Sequence, residues 1–287
     1  MSTKLLFHAN CADGIFAAYI AESYFKGADL IPVRYQEQLP QISDEDSIVC
    51  VDYCPDIAIL KSVHPKSLLV IDHHKSTREQ LEGFVPDYPF SYIDDNDESG
   101  ATLAWKYLKP DREMLWILPY IRDRDLWKWE LPESKEVDAC IQSYAFSLAN
   151  CEKFVLMGRD ACVKEGRPII RYQEKIIRQA VSQAREIEFH GHKVMSVNST
   201  VLASEIGHEL GLGRPFAIVW FNQDRIKRFV YSLRSSNDTG IDVSAIAQLY
   251  GGGGHAHAAS FSVPWHQEFL DAITGPRHGD SPNVEEK

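Results

Sequence analysis

No apolar run in the chain approaches the roughly 20 residues needed to cross a bilayer, which excludes a membrane-spanning helix. The opening, Met1-Ser2-Thr3-Lys4, turns polar too soon for a secretion signal, so the cytoplasm is the expected location. Basic charge is scarce: 30 Lys and Arg stand against 41 Asp and Glu, a net charge of −11. A protein that grips long duplex nucleic acid carries a basic footprint, and none is visible. An acidic protein can still bind a small phosphate anion if metal ions and a few arginines reverse the potential locally. The six cysteines, Cys11, Cys50, Cys54, Cys140, Cys151 and Cys162, contain no C-x-x-C pair, and reduced thiols are expected. Cys50 and Cys54 have zinc-like spacing, but Cys50 ends an apolar strand and no second pair exists, so burial is preferred. What remains is ordinary globular composition, 44% hydrophobic and 25% charged over 287 residues, enough for two modest domains.

The first half alternates strands and helices. Apolar strands are expected at 4–8, 30–35, 47–52 and 67–71, with a helix from Ile15 to Phe25 that stops at Gly27. Continuous β-branched and leucine runs between helices argue for α/β architecture with a parallel sheet covered on both faces. Ser99 reads as a helix cap. From Glu152 to Ile187 the pattern is mostly helical and charged, broken at Gly166-Arg167-Pro168. The expected domains are a parallel-sheet domain over 1–150, a helical connector over 151–187, a smaller α/β domain over 188–274 and a flexible tail over 275–287. In the second domain, strands are expected at 193–197, 216–221 and 228–233, with helices at 203–210 and 241–250.

Three strands deliver polar residues at their carboxyl ends: His8 with Asp13, then Asp52, then Asp72-His73-His74. In an open α/β sheet that edge is where ligands bind. Aspartate and imidazole suit manganese, zinc or iron. The competing reading of Asp72-His73-His74 is a solvated polar turn; the neighbouring strand ends favour a metal site. Gly251 to Gly254, followed by His255, can bring backbone amides close to a phosphate, or form a flexible surface loop. Arg234-Ser235-Ser236-Asn237 after an apolar strand suits phosphate recognition or an exposed turn. Trp127 and Trp129 read first as packing, with the border of the cleft as the alternative.

Together, His8-x4-Asp13, Asp52, Asp72-His73-His74, an aspartate near 123 and Gly-Gly-Gly-His resemble the DHH phosphoesterase superfamily with its associated C-terminal domain. The motifs span Phe7 to Ala259, and their combination is specific where any single piece is not. The resemblance implies two divalent metal ions, with manganese favoured over iron, zinc, cobalt or magnesium. It implies His8 at the first metal, Asp13 at the second, Asp52 bridging both, His73 as a ligand, and His74 facing the scissile phosphate. Asp123 is expected to complete the second site, with Asp125 the fallback, and Cys11 and Asp72 are further candidates. Arg234, Ser235, Gly253, Gly254 and His255 are expected to hold substrate phosphate or sugar. One departure stands out: Cys11 occupies a place where the family commonly carries an aspartate; as a softer ligand it favours zinc or iron, and as no ligand at all it leaves the first metal weakly held.

The function so implied is hydrolysis of short single-stranded oligonucleotides or linear dinucleotides to mononucleotides, by a monomer or homodimer that takes no long duplex and no membrane. A phosphatase of bisphosphorylated adenosine type and a degenerate, non-catalytic nucleotide binder are the alternatives.

Overall fold

The computed structural model describes residues 2–34, 39, 41–236 and 240–265. Tyr35, Asn237, His266 and the expected tail at 275–287 lie outside the described residues. The chain divides into two compact units, Met1–Tyr172 and Gln173–Lys287.

In the first unit, β1 (Thr3–His8) leads into α1 (Ala12–Tyr24), followed by β2 (Asp29–Val33), β3 (Ser47–Val51), α2 (Ile57–Ser62), β4 (Ser67–Ile71), α3 (Lys75–Leu81) and β5 (Phe90–Ile93). The five strands are all parallel, in the order β2-β1-β3-β4-β5. Alternate residues feed two cores. Leu5, Phe7, Val49, Val51 and Ile71 pack with α1 on one face, while Leu6, Ile48, Cys50, Leu68 and Val70 pack on the other. Burial on both faces explains why these strands are unbroken apolar runs, and each fully buried Leu or Ile contributes about 1.5–3 kcal/mol. Cys50 and Cys54 are both buried in the second of these cores.

Four helices, α4 (Gly100–Leu108), α5 (Leu118–Asp125), α6 (Ser134–Gln142) and α7 (Leu148–Met157), extend the face covered by α1. Strand order reverses direction between β1 and β3, and such a switch opens a crevice at the carboxyl ends of those two strands.

The next helix, α8 (Arg159–Ser182), runs straight through the expected break at 166–168. Gly166 is there for close packing: a Cβ would fall 1.8 Å from the Glu136 carbonyl oxygen on α6. Pro168 is exposed, so the backbone acceptor it leaves unbonded lies on the solvent side of the helix. The helical stretch ends at Ser182 rather than Ile187, because Arg185–Phe189 alternates exposed charge with buried Ile187 and Phe189 and forms a strand.

The second unit contains β6 (Arg185–Phe189), β7 (His192–Asn198), α9 (Ala203–Gly211), β8 (Ala217–Gln223), β9 (Arg228–Arg234), α10 (Val243–Gln248), β10 (Gly253–His255) and β11 (Ala258–Pro264). Its sheet runs β10-β11-β9-β8-β7-β6, with only β7 and β8 parallel. The fold is therefore α/β throughout, a parallel sheet followed by a mixed one.

Candidate metal centre

The centre is built where the switch between β1 and β3 places it. His8 ends β1, and its Nδ1 lies 3.6 Å from Asp52 Oδ2. Gly14 permits this: a Cβ there would fall 2.2 Å from the His8 carbonyl oxygen, so α1 can start directly beneath the strand end. Asp52 follows β3 with φ 52°, left-handed backbone that is uncommon outside glycine. Its N–H still donates to the Ile71 carbonyl at 2.9 Å, so the turn re-aims the side chain without releasing the strand. Asp52 Oδ1 then reaches 3.2 Å from His73 Nε2.

Asp13, in the first turn of α1, meets the N-terminus of α4. Both its oxygens accept backbone N–H groups, from Gly100 at 2.5 Å and Ala101 at 2.9 Å. That helix start is fixed by a capping box between Ser99 and Thr102. Gly100 has no alternative at this point, because a Cβ would lie 2.5 Å from Asp52 Cβ and 2.9 Å from Asp13 Oδ2. Asp13 Oδ2 is 3.7 Å from His73 Nε2.

Asp72, fully buried, acts on its neighbours. Its Oδ1 accepts the N–H of His73 at 2.9 Å and of His74 at 3.4 Å and sits 2.7 Å from His74 Nδ1, while Oδ2 accepts the Thr77 hydroxyl. Oδ1 thus orients His74 while Oδ2 is held by Thr77, the part of an outer carboxylate that fixes a neighbouring imidazole.

The third carboxylate near His73 comes from α5, and it is that of Asp125, the fallback, rather than Asp123. Both oxygens of Asp123 are turned to backbone, accepting Glu130 N–H at 2.9 Å and Leu131 N–H at 3.3 Å. Asp125 instead places Oδ2 3.4 Å from His73 Nε2.

Electrostatics follow from gathering four carboxylates, with Asp13, Asp52 and Asp72 buried and Asp125 half-buried. Burial opposes ionisation of Asp52, but His73 and His8 outweigh it and hold its carboxyl well below the usual range. Burial, reinforced by Asp52, pushes Asp13 and Asp125 up. Burial also opposes charging of the histidines, yet the carboxylates win: Asp125 and Asp52 raise His73 to about 9, and Asp72 raises His74 to about 9. Burial, with Asp52 and Asp125, pushes the Cys11 thiol up.

These residues fit divalent cations. Asp52 Oδ1 and Oδ2 and Asp125 Oδ2 are buried without a hydrogen-bond donor, an arrangement that is costly unless a cation neutralises it. Ligand atoms converge within 4.8 Å in two triads, His8–Cys11–Asp52 and Asp13–His73–Asp125. Asp52 also joins Asp72, His73 and His74 in a further such group, so it lies between both triads. Cys11 thus enters the first triad, at the N-cap of α1, where its side chain makes no cap hydrogen bond.

The second unit gathers its own candidates. The register pairs Arg234 with Ala258, and Ala258 with His255, which puts Arg234 and His255 on strands flanking β11. Arg234 donates to Ser204 Oγ at 2.7 Å and to the Leu233 carbonyl at 2.8 Å, across Gly207 of α9. Ser235 Oγ lies 2.8 Å from the Ile241 carbonyl and 3.0 Å from His257 Nδ1. Gly253 and Gly254 belong to an edge strand rather than a loop; a Cβ at Gly254 would fall 2.5 Å from the Ala258 carbonyl oxygen. Sequence reasoning gives Gly100 and His257 no role of their own; only the fold brings them to their partners.

No family model matches the chain. Among curated proteins it is 27% identical over 284 residues to the uncharacterized protein R106 of Acanthamoeba polyphaga mimivirus, covering 90% of this chain and 66% of that one. It is 31% identical over 219 residues to the oligoribonuclease NrnB of Bacillus subtilis (strain 168), covering 68% of this chain and 52% of that one. The chain spans 66% and 52% of the length of these relatives. Among solved structures it is similar to PggH, a pGpG-specific phosphodiesterase from Vibrio cholerae, with a TM-score of 0.48 and 15% identity over 96% of each chain.

Proposed function

The chain belongs to the DHH phosphoesterase superfamily, and on that premise we propose that it is a metal-dependent phosphodiester hydrolase that cuts short oligonucleotides or linear dinucleotides to mononucleotides. The observation that carries this reading is Asp52: two buried carboxylate oxygens without a hydrogen-bond donor, aimed at His8 on one side and His73 on the other. The name of the NrnB relative, an oligoribonuclease, supports the substrate class.

In this reading His8, Cys11 and Asp52 would hold one ion, and Asp13, Asp52, His73 and Asp125 would hold a second. Divalent ions, when bound, supply an acidified water and neutralise charge on the phosphoryl group. Manganese is the first choice for the carboxylate-rich triad, and Cys11, giving up its proton on binding, would draw the other towards zinc or iron. Asp13 is kept in place by the N-terminus of α4, whose partial positive charge favours the carboxylate. Asp72 fixes the ring of His74 through Nδ1, so His74 addresses the substrate through Nε2. Held charged by Asp72, His74 donates to a phosphoryl oxygen as charge builds there and can protonate the leaving oxygen. In the second unit, Arg234, Ser235, Gly253, Gly254 and His255 take the remaining phosphate or sugar.

Neither the protein's location nor its oligomeric state enters this chemistry; among the described residues no helix is long and apolar enough to cross a membrane. The test is a hydrolysis screen with purified protein, a labelled dinucleotide series of increasing length, and manganese, zinc, iron, cobalt and magnesium in turn. Release of mononucleotides from the shortest substrates is expected. No release with any of the metals contradicts the proposal.

A further inference from the structure

Two tryptophans immediately after α5 have no part in the chemistry above. Trp105 and Trp116, in the same unit, pack in its hydrophobic core. Trp127 and Trp129 join none of the hydrophobic clusters among the described residues, and both are only half-buried. Their rings meet edge to face at 5.2 Å.

The backbone beneath them is unusual. Trp127 and Trp129 both have φ 55°, a left-handed conformation that is a genuine outlier for a bulky side chain. Such backbone persists only where its surroundings over-determine it, and it concentrates at functional sites. Here Asp123 does the holding. Its carbonyl oxygen accepts the N–H groups of Lys128 at 2.8 Å and Trp129 at 3.4 Å, and its carboxylate accepts those of Glu130 and Leu131. Arg124 lies against the rings, its guanidinium 4.6 Å from the Trp127 centroid and 5.8 Å from that of Trp129, with Lys135 Nζ 5.7 Å from the Trp129 centroid and Asp138 3.3 Å from Arg124 Nε.

Two residues before Trp127 stands Asp125, 3.4 Å from His73. Two residues of chain reach at most about 7 Å, the scale that separates a scissile phosphate from the nucleobase of the same nucleotide. We infer that the Trp127 ring, met edge to face by Trp129, is a stacking platform for a nucleobase next to the scissile phosphate. This inference rests on the phosphodiesterase reading above and deepens it: the substrate is recognised in the first unit by a flat base face, with little preference among bases, because every base has a π-face. Asp123, turned away from the metal centre, is the positioning residue of this platform.

The test compares a 5′-phosphorylated ribodinucleotide with the same molecule lacking one nucleobase at either position. Equilibrium binding is measured by competition against a fluorescent dinucleotide in calcium, so that no turnover is needed, and kcat/KM is measured in manganese. Wild type should bind one of the two abasic compounds about 5- to 150-fold more weakly than the intact dinucleotide, the range expected from one lost stacking contact. Trp127→Ala should lose a similar factor on the intact dinucleotide and little more on that abasic compound; Trp127→Phe should retain most of the binding. Wild-type binding that ignores both bases overturns the platform, and this arm does not depend on any variant folding. Equal losses by Trp127→Ala on intact and abasic compounds also overturn it. Base-dependent binding without hydrolysis in any metal supports the platform and sinks only the hydrolase reading.

Discussion

At Gly100 a single missing methyl group lets two carboxylates sit against the start of a helix. An added Cβ would press on Asp52 and Asp13 at 2.5 and 2.9 Å. Gly to Ala in a helix ordinarily stabilises by about 1 kcal/mol, whereas overpacking of this kind costs about 1–3 kcal/mol. Gly100→Ala should therefore leave far-UV circular dichroism unchanged yet weaken manganese binding at least about tenfold by titration calorimetry, the equivalent of about 1.4 kcal/mol. Unchanged affinity would show that the carboxylates tolerate displacement. The histidines give a second prediction. With His73 and His74 raised from 6.5 to about 9, both imidazolium groups stabilise the metal-free fold fully below about 6.5, and that contribution is lost as pH rises through about 9. A metal ligand must be deprotonated, so manganese affinity should climb from pH 6.5 towards 9, with proton release on binding. Calorimetry in buffers of different ionisation enthalpy reads that release; a pH-independent affinity would contradict it.

Elements show where sequence patterns carry information and where they do not. The strands β1, β3 and β4 are legible because sheets buried on both faces need uninterrupted apolar runs, and the polar residues that end them stand out by contrast. β5 is four residues long, and β6 alternates within a charged stretch that also suits a helix, so neither is separable from its surroundings by period alone. Gly251-Gly252-Gly253-Gly254 is read as a loop because glycines permit one, but Gly252 and Gly254 serve the close approach of β10 to β11. The choice between Asp123 and Asp125 is of the same kind. Two residues apart on a helix, they cannot face the same way, and only the course of the following loop decides which one turns towards His73. In α8, Gly166 reads as a breaker but is a contact with α6. Gly166→Ala should lower unfolding stability by about 1–3 kcal/mol, seen as a reduced midpoint in urea with an unchanged slope. A stabilised variant would mean that α8 tolerates a side chain at this crossing.

At the scale of the whole molecule, residues from 8 to 125 converge on one edge of one sheet because strand order reverses between β1 and β3. The acidic net charge of −11 is compatible with an anionic substrate only if cations reverse the potential locally. Cations held by the candidate ligand triads would do so, which is why metal binding stands at the centre of the account. The most direct measurement is the number of manganese equivalents bound per chain, by titration on metal-stripped protein, in wild type and in Asp52→Asn. The account predicts two equivalents for wild type, with loss of tight binding and of hydrolysis in Asp52→Asn while the fold persists. Two equivalents bound with unchanged affinity by Asp52→Asn, or none bound by wild type, would contradict it.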